Sequence, residues 1–256
     1  MTGRVSTVRW LARGERDLPT GTGWLSAAEA EYCARLRFTK RRTEFLVARW
    51  AAKQAMAGLP GCAGDPSRLE VRRHPTGAPE AHADGRRLDV GTSLSDRTSW
   101  AVCLLGLGPG MVGCDLELVE PRSAAFVADY FTPAERRYIG SCDLRANLLW
   151  SAKESALKVL GTGLRRDTRS VEVTVHGRGA GWSPLVVRAA GAGEFPGWWI
   201  RHGDFLLTVA ATVPTAPPVG LDEVPALATA EPVHSWLAEP FTAPPPVGTS
   251  RAPARR

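Results

Sequence analysis

The sequence predicts an α+β protein made of two stretches that carry similar elements, followed by a proline-rich end. Each stretch contains a long helical pattern, and each contains strand-like runs that polar turns separate. The end differs in composition, because residues 214–256 hold ten of the chain's 20 prolines. We therefore divide the chain into residues 1–108, residues 109–213 and residues 214–256.

The first stretch is dominated by a helical pattern over residues 26–57. Ser26 and Glu29 have the spacing of a capping box, in which each side chain bonds the other residue's backbone N–H. A glycine- and proline-rich break over residues 58–66 ends the pattern, because neither residue type extends a helix well. Strands are predicted beyond the break, at Leu69–Arg73 and Trp100–Leu107.

The second stretch follows Gly108-Pro109-Gly110 and opens with a predicted strand over Met111–Leu118. Thr132-Pro133-Ala134-Glu135 then has the residue types of a helix start, with threonine as N-cap and proline at N1. The next helix is predicted over Leu144–Leu160, closed by glycines. Four more strands are predicted at 171–175, 185–188, 198–202 and 205–211. Sequence alone shows no residue-level repeat between the two stretches.

The proline-rich end, residues 214–256, is predicted to be a mobile tail. Runs such as Pro244-Pro245-Pro246 cannot continue a helix or a central strand. One short helical turn is expected near His234–Leu237. The alternative interpretation is a tail that grips a partner.

Composition narrows the class of protein. The net charge of +6 and a pI near 9.4 favour nucleic acid, an anionic cofactor or an acidic protein as partner, and charge alone does not choose among them. The five cysteines are scattered and form no CxxC pair, which predicts reduced thiols rather than a disulfide framework or a zinc site. No apolar run has the length of a membrane span, and no signal-peptide core is evident, so we expect a cytoplasmic protein.

The predicted strand after Gly110 carries two acidic residues, Asp115 and Glu117, within an apolar context. Residues two apart on a strand point to the same face, so the two carboxylates lie side by side. Like charges so close repel each other unless a cation lies between them, and Mg²⁺ prefers oxygen ligands. The pattern equally fits an edge strand with two solvated acids.

The predicted helix over residues 144–160 carries Glu154 and Lys158, four residues apart and therefore on one face. An ordinary surface ion pair is the simpler interpretation of these two residues alone. A functional interpretation makes Glu154 a third carboxylate for a cation and Lys158 a cationic partner for a phosphate.

The acidic strand and this helix together carry a resemblance. Gly113-x-Asp115-x-Glu117, followed by Trp150-x-x-Lys153-Glu154-x-x-x-Lys158, resembles the signature pair of the 4'-phosphopantetheinyl transferases, in particular the longer type that acts on surfactin synthetase. Phe131-Thr132-Pro133-Ala134-Glu135 resembles the segment that connects the two motifs in this family. Gly161-Thr162-Gly163-Leu164 resembles the end of its signature helix. The resemblance covers about residues 26–211.

This resemblance implies two similar α+β halves related by a pseudo-twofold axis, with coenzyme A in the cleft between them. It implies that Asp115, Glu117 and Glu154 bind Mg²⁺. A serine of an acyl or peptidyl carrier protein would attack the phosphorus next to the pantetheine, releasing 3',5'-ADP. Glu154 would be the general base, and Lys158 would stabilise charge on the pyrophosphate.

The first stretch resembles the family more loosely, in its basic positions. Arg35 and Arg42 match the basic first long helix, and Arg73 matches a basic position that serves the 3'-phosphate of coenzyme A. Ser95 matches the serine of a segment that precedes the acidic strand, and Asp96 takes the position of that segment's histidine. A solvated surface is the alternative for each arginine.

Two departures from the family pattern bear on coenzyme A affinity. Ala78 stands where the family's Gly-Lys-Pro turn has its lysine, and Asp96 replaces a histidine. An aspartate beside a phosphate is unfavourable unless it is turned away or paired, for example with Arg97. We expect the departures to weaken coenzyme A binding more than the chemistry.

An acidic carrier protein is the partner that best uses the positive net charge, and a monomer suffices if the halves share one cleft. We expect neither nucleic acid nor a membrane as partner. Two alternatives stay open: a degenerate family member that binds coenzyme A or a carrier without turnover, and a basic nucleic-acid-binding protein. The second alternative lacks a recognisable binding module in this sequence.

Overall fold

The computed structural model describes residues 7–108, 110–177, 181–223 and 225–232. The strands are β1 (Thr7–Gly14), β2 (Leu69–Arg73), β3 (Pro79–Ala83), β4 (Arg86–Arg87), β5 (Gly91–Arg97), β6 (Trp100–Leu107), β7 (Val112–Leu118), β8 (Val171–Val175), β9 (Ser183–Ala189), β10 (Gly193–His202), β11 (Phe205–Ala211) and β12 (Val219–Gly220). The α-helices are α1 (Ala27–Arg35), α2 (Thr39–Ala57), α3 (Ala124–Tyr130), α4 (Pro133–Ile139) and α5 (Asp143–Leu160). Short 3-10 helices lie at Glu15–Asp17, Pro66–Arg68, Gly163–Arg165, Thr168–Ser170 and Ala226–Thr229.

The strands form three sheets, and one long helix packs on each of the two larger sheets. The first sheet has the order β12-β1-β6-β5 and carries α2 on β1 and β6. The second has the order β7-β11-β10-β9-β8 and carries α5 on β7 and β11. The third sheet is small, with the order β2-β3-β4. Helices and mostly antiparallel sheets in one chain confirm the α+β class.

The two larger sheets share a core, and β7 packs directly against β5 and β6. Every residue of β11 is buried, because α5 covers one face of its sheet and the first sheet covers the other. A strand buried on both faces reads as a continuous apolar run rather than an alternating one. The joint core takes these residues from both sheets and the C-terminal segment: Val8, Trp10, Val102, Leu104, Cys114, Leu116, Phe205, Leu207 and Leu227.

A buried ion pair ties α1, α2 and β2 together in the first half. The capping box of Ser26 and Glu29 is present. The Glu29 carboxylate also accepts a hydrogen bond from the Val71 backbone N–H and pairs with the Lys53 ammonium at 2.7 Å. Lys53 is fully buried and donates to the carbonyl oxygens of Pro66 and Leu69 as well. Each charge is therefore satisfied, as burial requires.

The second half contains the same arrangement. Thr132 and Glu135 form the capping box of α4. Glu135 accepts from the Val173 backbone N–H and pairs with the fully buried Lys153 at 2.8 Å. The match extends to the sequence, since Trp150-Ser151-Ala152-Lys153-Glu154 of α5 parallels Trp50-Ala51-Ala52-Lys53-Gln54 of α2. The expectation that no residue-level repeat exists is therefore wrong, because the repeat is short and only the buried contacts make it evident.

Other elements also differ from those predicted. The helical pattern over residues 26–57 is two helices, because Leu36, Arg37 and Phe38 leave the helical conformation between α1 and α2. Several elements were not predicted: β1, β3, β4, β5, β12 and α3. Most carry few apolar side chains or a mixed pattern, so their pairing partners decide their conformation.

The C-terminal segment up to residue 232 packs against the body, so the prediction of a mobile tail from residue 214 is wrong for this part. β12 pairs in parallel with β1, and Asp222 forms a two-pronged ion pair with Arg13 at 2.7 and 3.1 Å. Trp198 donates to Thr215, and Leu227 is fully buried in the joint core. The turn predicted near His234–Leu237 lies outside the described residues.

All five cysteines are free. Four of them are buried, and burial raises the pKa of the Cys114 thiol to about 11. Among the described residues, no helix combines the length and the apolar character needed to cross a membrane.

Candidate active site

The acidic strand β7 lies directly against α5, and the first residue of its motif makes this possible. A Cβ on Gly113 would stand 2.1 Å from the Ser155 carbonyl oxygen of α5, closer than any real contact. The strand therefore needs glycine here, for close approach rather than for a special backbone angle. The close packing brings Asp115 beside Lys158 of α5.

Asp115 is buried, and only one of its two carboxylate oxygens accepts hydrogen bonds. Its Oδ1 accepts hydrogen bonds from Lys158 Nζ and from Ser95 Oγ, both at 2.9 Å. Its Oδ2 is buried and has no hydrogen-bond partner among the residues that the structure describes. A buried carboxylate oxygen without a partner is costly, so this atom is a vacant acceptor.

Glu117 is bound on both oxygens. Trp150 Nε1 donates to Oε1 at 3.1 Å, while the guanidinium groups of Arg97 and Arg122 both lie 3.1 Å from Oε2. Burial and the neighbouring Asp115 raise the pKa of Glu117, and the two arginines oppose the rise. Neither Arg97 nor Arg122 was predicted as a partner of Glu117. Neither arginine belongs to a recognised motif, and both reach the carboxylate only in the folded chain.

Glu154 is half-buried on α5, and no described residue donates a hydrogen bond to its carboxylate. Burial, and next the negative charge of Asp115, raise its pKa to about 7, although Lys158 opposes the shift. Burial alone would lower the pKa of Lys158, but the carboxylates of Asp115 and Glu154 outweigh it and the pKa is raised. Lys158 is therefore charged, and Glu154 titrates near neutral pH.

Lys158 lines a cleft of about 1340 Å³ to which both halves contribute, whereas Asp115, Glu117 and Glu154 are not among the residues that line it. Of the residues predicted to bind the cofactor, Arg73, Asp96 and Lys158 line this cleft. Ser95 is buried and bonded to Asp115 instead.

The structure does not bring Arg35 and Arg42 to the cleft wall. Arg35 pairs with Glu31 on the surface, and Arg42 donates to the Leu36 carbonyl oxygen at 2.5 Å. Helix α2 begins at Thr39, whereas the sequence pattern predicted one helix from residue 26. The later start changes which basic side chains of α2 face the cleft. Five arginines that were not predicted line the cleft: Arg41, Arg49, Arg72, Arg87 and Arg165.

Asp96 is not held by Arg97, contrary to one sequence-based possibility, because Arg97 binds Glu117 and Glu120. Burial, and next the nearby Glu44, raise the pKa of Asp96, while Lys158 and Arg41 lower it. Asp96 is one of six acidic residues that line the cleft, beside seven arginine and lysine residues.

Within the described ranges, no three acidic, histidine or cysteine side chains stand close enough together to hold a metal ion as placed. Two features nevertheless fit a cation. Asp115 Oδ2 is buried without a partner, and the carboxyl of Glu154 has a raised pKa beside it. Glu117 fits less well, because arginines and Trp150 already bind both of its oxygens.

The chain was compared with known protein families and with curated proteins. Residues 111–208 match the family model of the 4'-phosphopantetheinyl transferase superfamily. This stretch is a 4'-phosphopantetheinyl transferase superfamily domain. No curated protein matches the chain. The transferase domain begins at the acidic strand and ends within β11, so it contains Asp115, Glu117, Glu154 and Lys158.

Proposed function

We propose that the protein transfers the 4'-phosphopantetheine group of coenzyme A to a serine of an acidic acyl or peptidyl carrier protein, in a Mg²⁺-dependent reaction. The transferase domain supports phosphopantetheine transfer in general, with coenzyme A as the substrate. One observation carries the proposal for this chain. The vacant Oδ2 of Asp115 and the half-buried Glu154 lie beside the charged Lys158, and Lys158 lines a large cleft that six arginines also line.

Asp115 and Glu154 would hold the Mg²⁺ ion. Glu117 is a third candidate ligand, but Arg97 and Arg122 would first have to move away from its carboxylate. A bound Mg²⁺ would neutralise negative charge on the pyrophosphate of coenzyme A. The donors are carboxylate oxygens, which suit a hard divalent cation.

Glu154 is the proposed general base, because its half-buried carboxylate accepts no hydrogen bond from the described residues. The serine oxygen forms a bond to the phosphorus next to the pantetheine, and its proton passes to Glu154. The bond between that phosphorus and the bridging oxygen breaks, and 3',5'-ADP leaves. Lys158 stabilises the negative charge that develops on the pyrophosphate.

The arginine-lined wall of the cleft is the proposed site for the nucleotide part of coenzyme A. Arg73 keeps its predicted role there, and Arg41 takes the place of Arg42 as the α2 residue that faces the cleft. Asp96 lies among these groups and repels a phosphate, so we keep the expectation that it weakens binding.

We also propose that residues 1–108 and 109–213 are the two halves of a pseudo-twofold arrangement. The support is the repeated set of capping box, buried lysine and accepting carboxylate in both halves. Gln54 stands at the position of Glu154 in the short repeat, so the first half would lack its own general base.

A second candidate is a protein that binds coenzyme A or a carrier without turnover, and the observation that favours it is Asp96 in the cleft.

The test is to incubate the protein with Mg²⁺, coenzyme A and an apo carrier and to measure the carrier's mass. Transfer adds the mass of phosphopantetheine. Asp115→Ala and Glu154→Ala should each lower the rate of transfer to the carrier by orders of magnitude. Neither substitution should change the far-UV spectrum, because the fold stays intact. A near-wild-type rate in either folded variant would refute the assignment.

A further inference from the structure

Exposed apolar side chains are concentrated at the cleft. In the part of the chain that the structure describes, six large hydrophobic side chains are exposed: Tyr32, Phe38, Met111, Tyr138, Leu164 and Val219. Tyr32 and Met111 line the cleft itself. Phe38 and Leu164 each lie between sequence neighbours that line it. Single exposed apolar residues are ordinary, but two that line one cleft and two more beside its lining residues indicate a contact surface.

Phe38 and Leu164 are the most exposed of the six, at 75% and 59%. Phe38 lies at the start of α2 in the first half, and Leu164 lies in the 3-10 helix Gly163–Arg165 that follows α5. They come from different halves of the chain, and each lies near residues of its own segment that line the cleft. We call these two segments, residues 35–42 and 163–166, the rim.

The rim is strongly basic. Its charged side chains are Arg35, Arg37, Lys40, Arg41, Arg42, Arg165 and Arg166. Glu31 and Glu44, which pair with some of them, are the acids that lie beside it on α1 and α2. An exposed aromatic and an exposed leucine within such a surface fit an acidic partner that buries apolar side chains at the centre of the contact.

The rim also adjoins the reacting groups. Glu154 and Lys158 lie on the last two turns of α5, and Gly161 ends that helix just before Leu164. Two helical turns span only about 11 Å, so a protein seated on Leu164 can reach Glu154 with one of its own side chains. A small anionic cofactor inside the cleft would have no need of apolar groups outside it.

We propose that Phe38 and Leu164 are the apolar anchors that dock the acidic carrier protein, with the rim arginines supplying the complementary charge. This docking site rests on the proposed function, because the carrier is the partner that must present a serine to Glu154. The carrier contacts both halves at once, so its serine meets the cleft mouth between them.

The test measures binding directly and does not depend on turnover. An apo acyl carrier protein and an apo peptidyl carrier domain are titrated, without coenzyme A so that no transfer occurs, against the full chain and its Phe38→Ser and Leu164→Ser variants. Each variant should bind its carrier about tenfold more weakly, as expected for a truncated interface anchor. Tyr138→Ser removes an exposed aromatic away from the cleft and should change nothing. Arg37→Glu should weaken binding in a salt-dependent way, whereas Arg86→Glu on β4 should not.

Affinity for coenzyme A alone is measured in parallel and should be the same in all variants. Carrier binding by both serine variants at the level of Tyr138→Ser would overturn the proposal, as would an equal loss of coenzyme A affinity. A chain that binds carriers through Phe38 and Leu164 but transfers nothing would support the docking site and refute the proposed activity. Binding of anionic vesicles or duplex DNA through these residues, with neither carrier bound, would also overturn the proposal.

Discussion

Leu227 is fully buried in the core shared by both sheets, although it lies in the proline-rich end of the chain. We predict that Leu227→Ala destabilises the protein by about 2–5 kcal/mol, the range for a buried leucine whose removal leaves a cavity. For a chain of this size that corresponds to a fall in melting temperature on the order of 5–15 °C. The change is measured by urea denaturation and by calorimetry.

Leu164→Ala is the matched control, because Leu164 is 59% exposed and its truncation should change stability by no more than about 0.5 kcal/mol. A pair of truncations extends the test. Removing residues 214–256 deletes the pairing of β12 with β1, the Arg13–Asp222 ion pair and Leu227, so it should destabilise at least as much as Leu227→Ala. Removing only residues 233–256 leaves all of these contacts in place. If Leu227→Ala and Leu164→Ala lower the free energy of unfolding by the same amount, the segment around Leu227 does not pack in the core as described.

Three further predictions concern single side chains. Gly113→Ala should cost about 3 kcal/mol by urea denaturation, because its Cβ would overlap the Ser155 carbonyl oxygen, whereas Gly23→Ala has open space and should cost little. Asp96→His should lower the KM for coenzyme A several-fold with little change in kcat. The substitution removes a carboxylate whose repulsion of the phosphate is on the order of 1 kcal/mol. An unchanged or higher KM contradicts this prediction. Burial lowers the pKa of His202, so stability should fall as pH drops from about 6.5, where the unfolded chain takes up a proton, towards the lower folded value. His202→Phe should flatten that part of the stability profile, and an unchanged slope would show that another group is responsible.

Local chemistry in the sequence is enough to predict some elements. The capping boxes at Ser26 and Thr132 were predictable because their hydrogen bonds join residues three apart. Helix α5 was predictable within one residue, since it has a long apolar period and a glycine in the left-handed conformation at its end. Strands β6 and β11 were predictable from continuous apolar runs.

Elements that depend on distant partners were not predictable. Strand β12 is two residues long and forms because β1 offers it a free edge from the other end of the chain. Arg122 meets Glu117 because Asn147 of α5 accepts a hydrogen bond from its Nε at 2.7 Å and holds the guanidinium in place. Neither contact leaves a periodic signal in the sequence, because sequence patterns record only neighbours within a few turns.

The sequence by itself determined the acidic strand, the signature helix and the residue types of the candidate site. Those depend on two short motifs whose spacing places Asp115 with Glu117, and Glu154 with Lys158, on common faces. The tertiary structure alone decided which of these groups is available. Asp115 keeps a vacant oxygen and Glu154 has a raised pKa, whereas arginines bind Glu117. The reason is that burial and long-range charge act through space, and the distance between two residues along the chain does not set either of them.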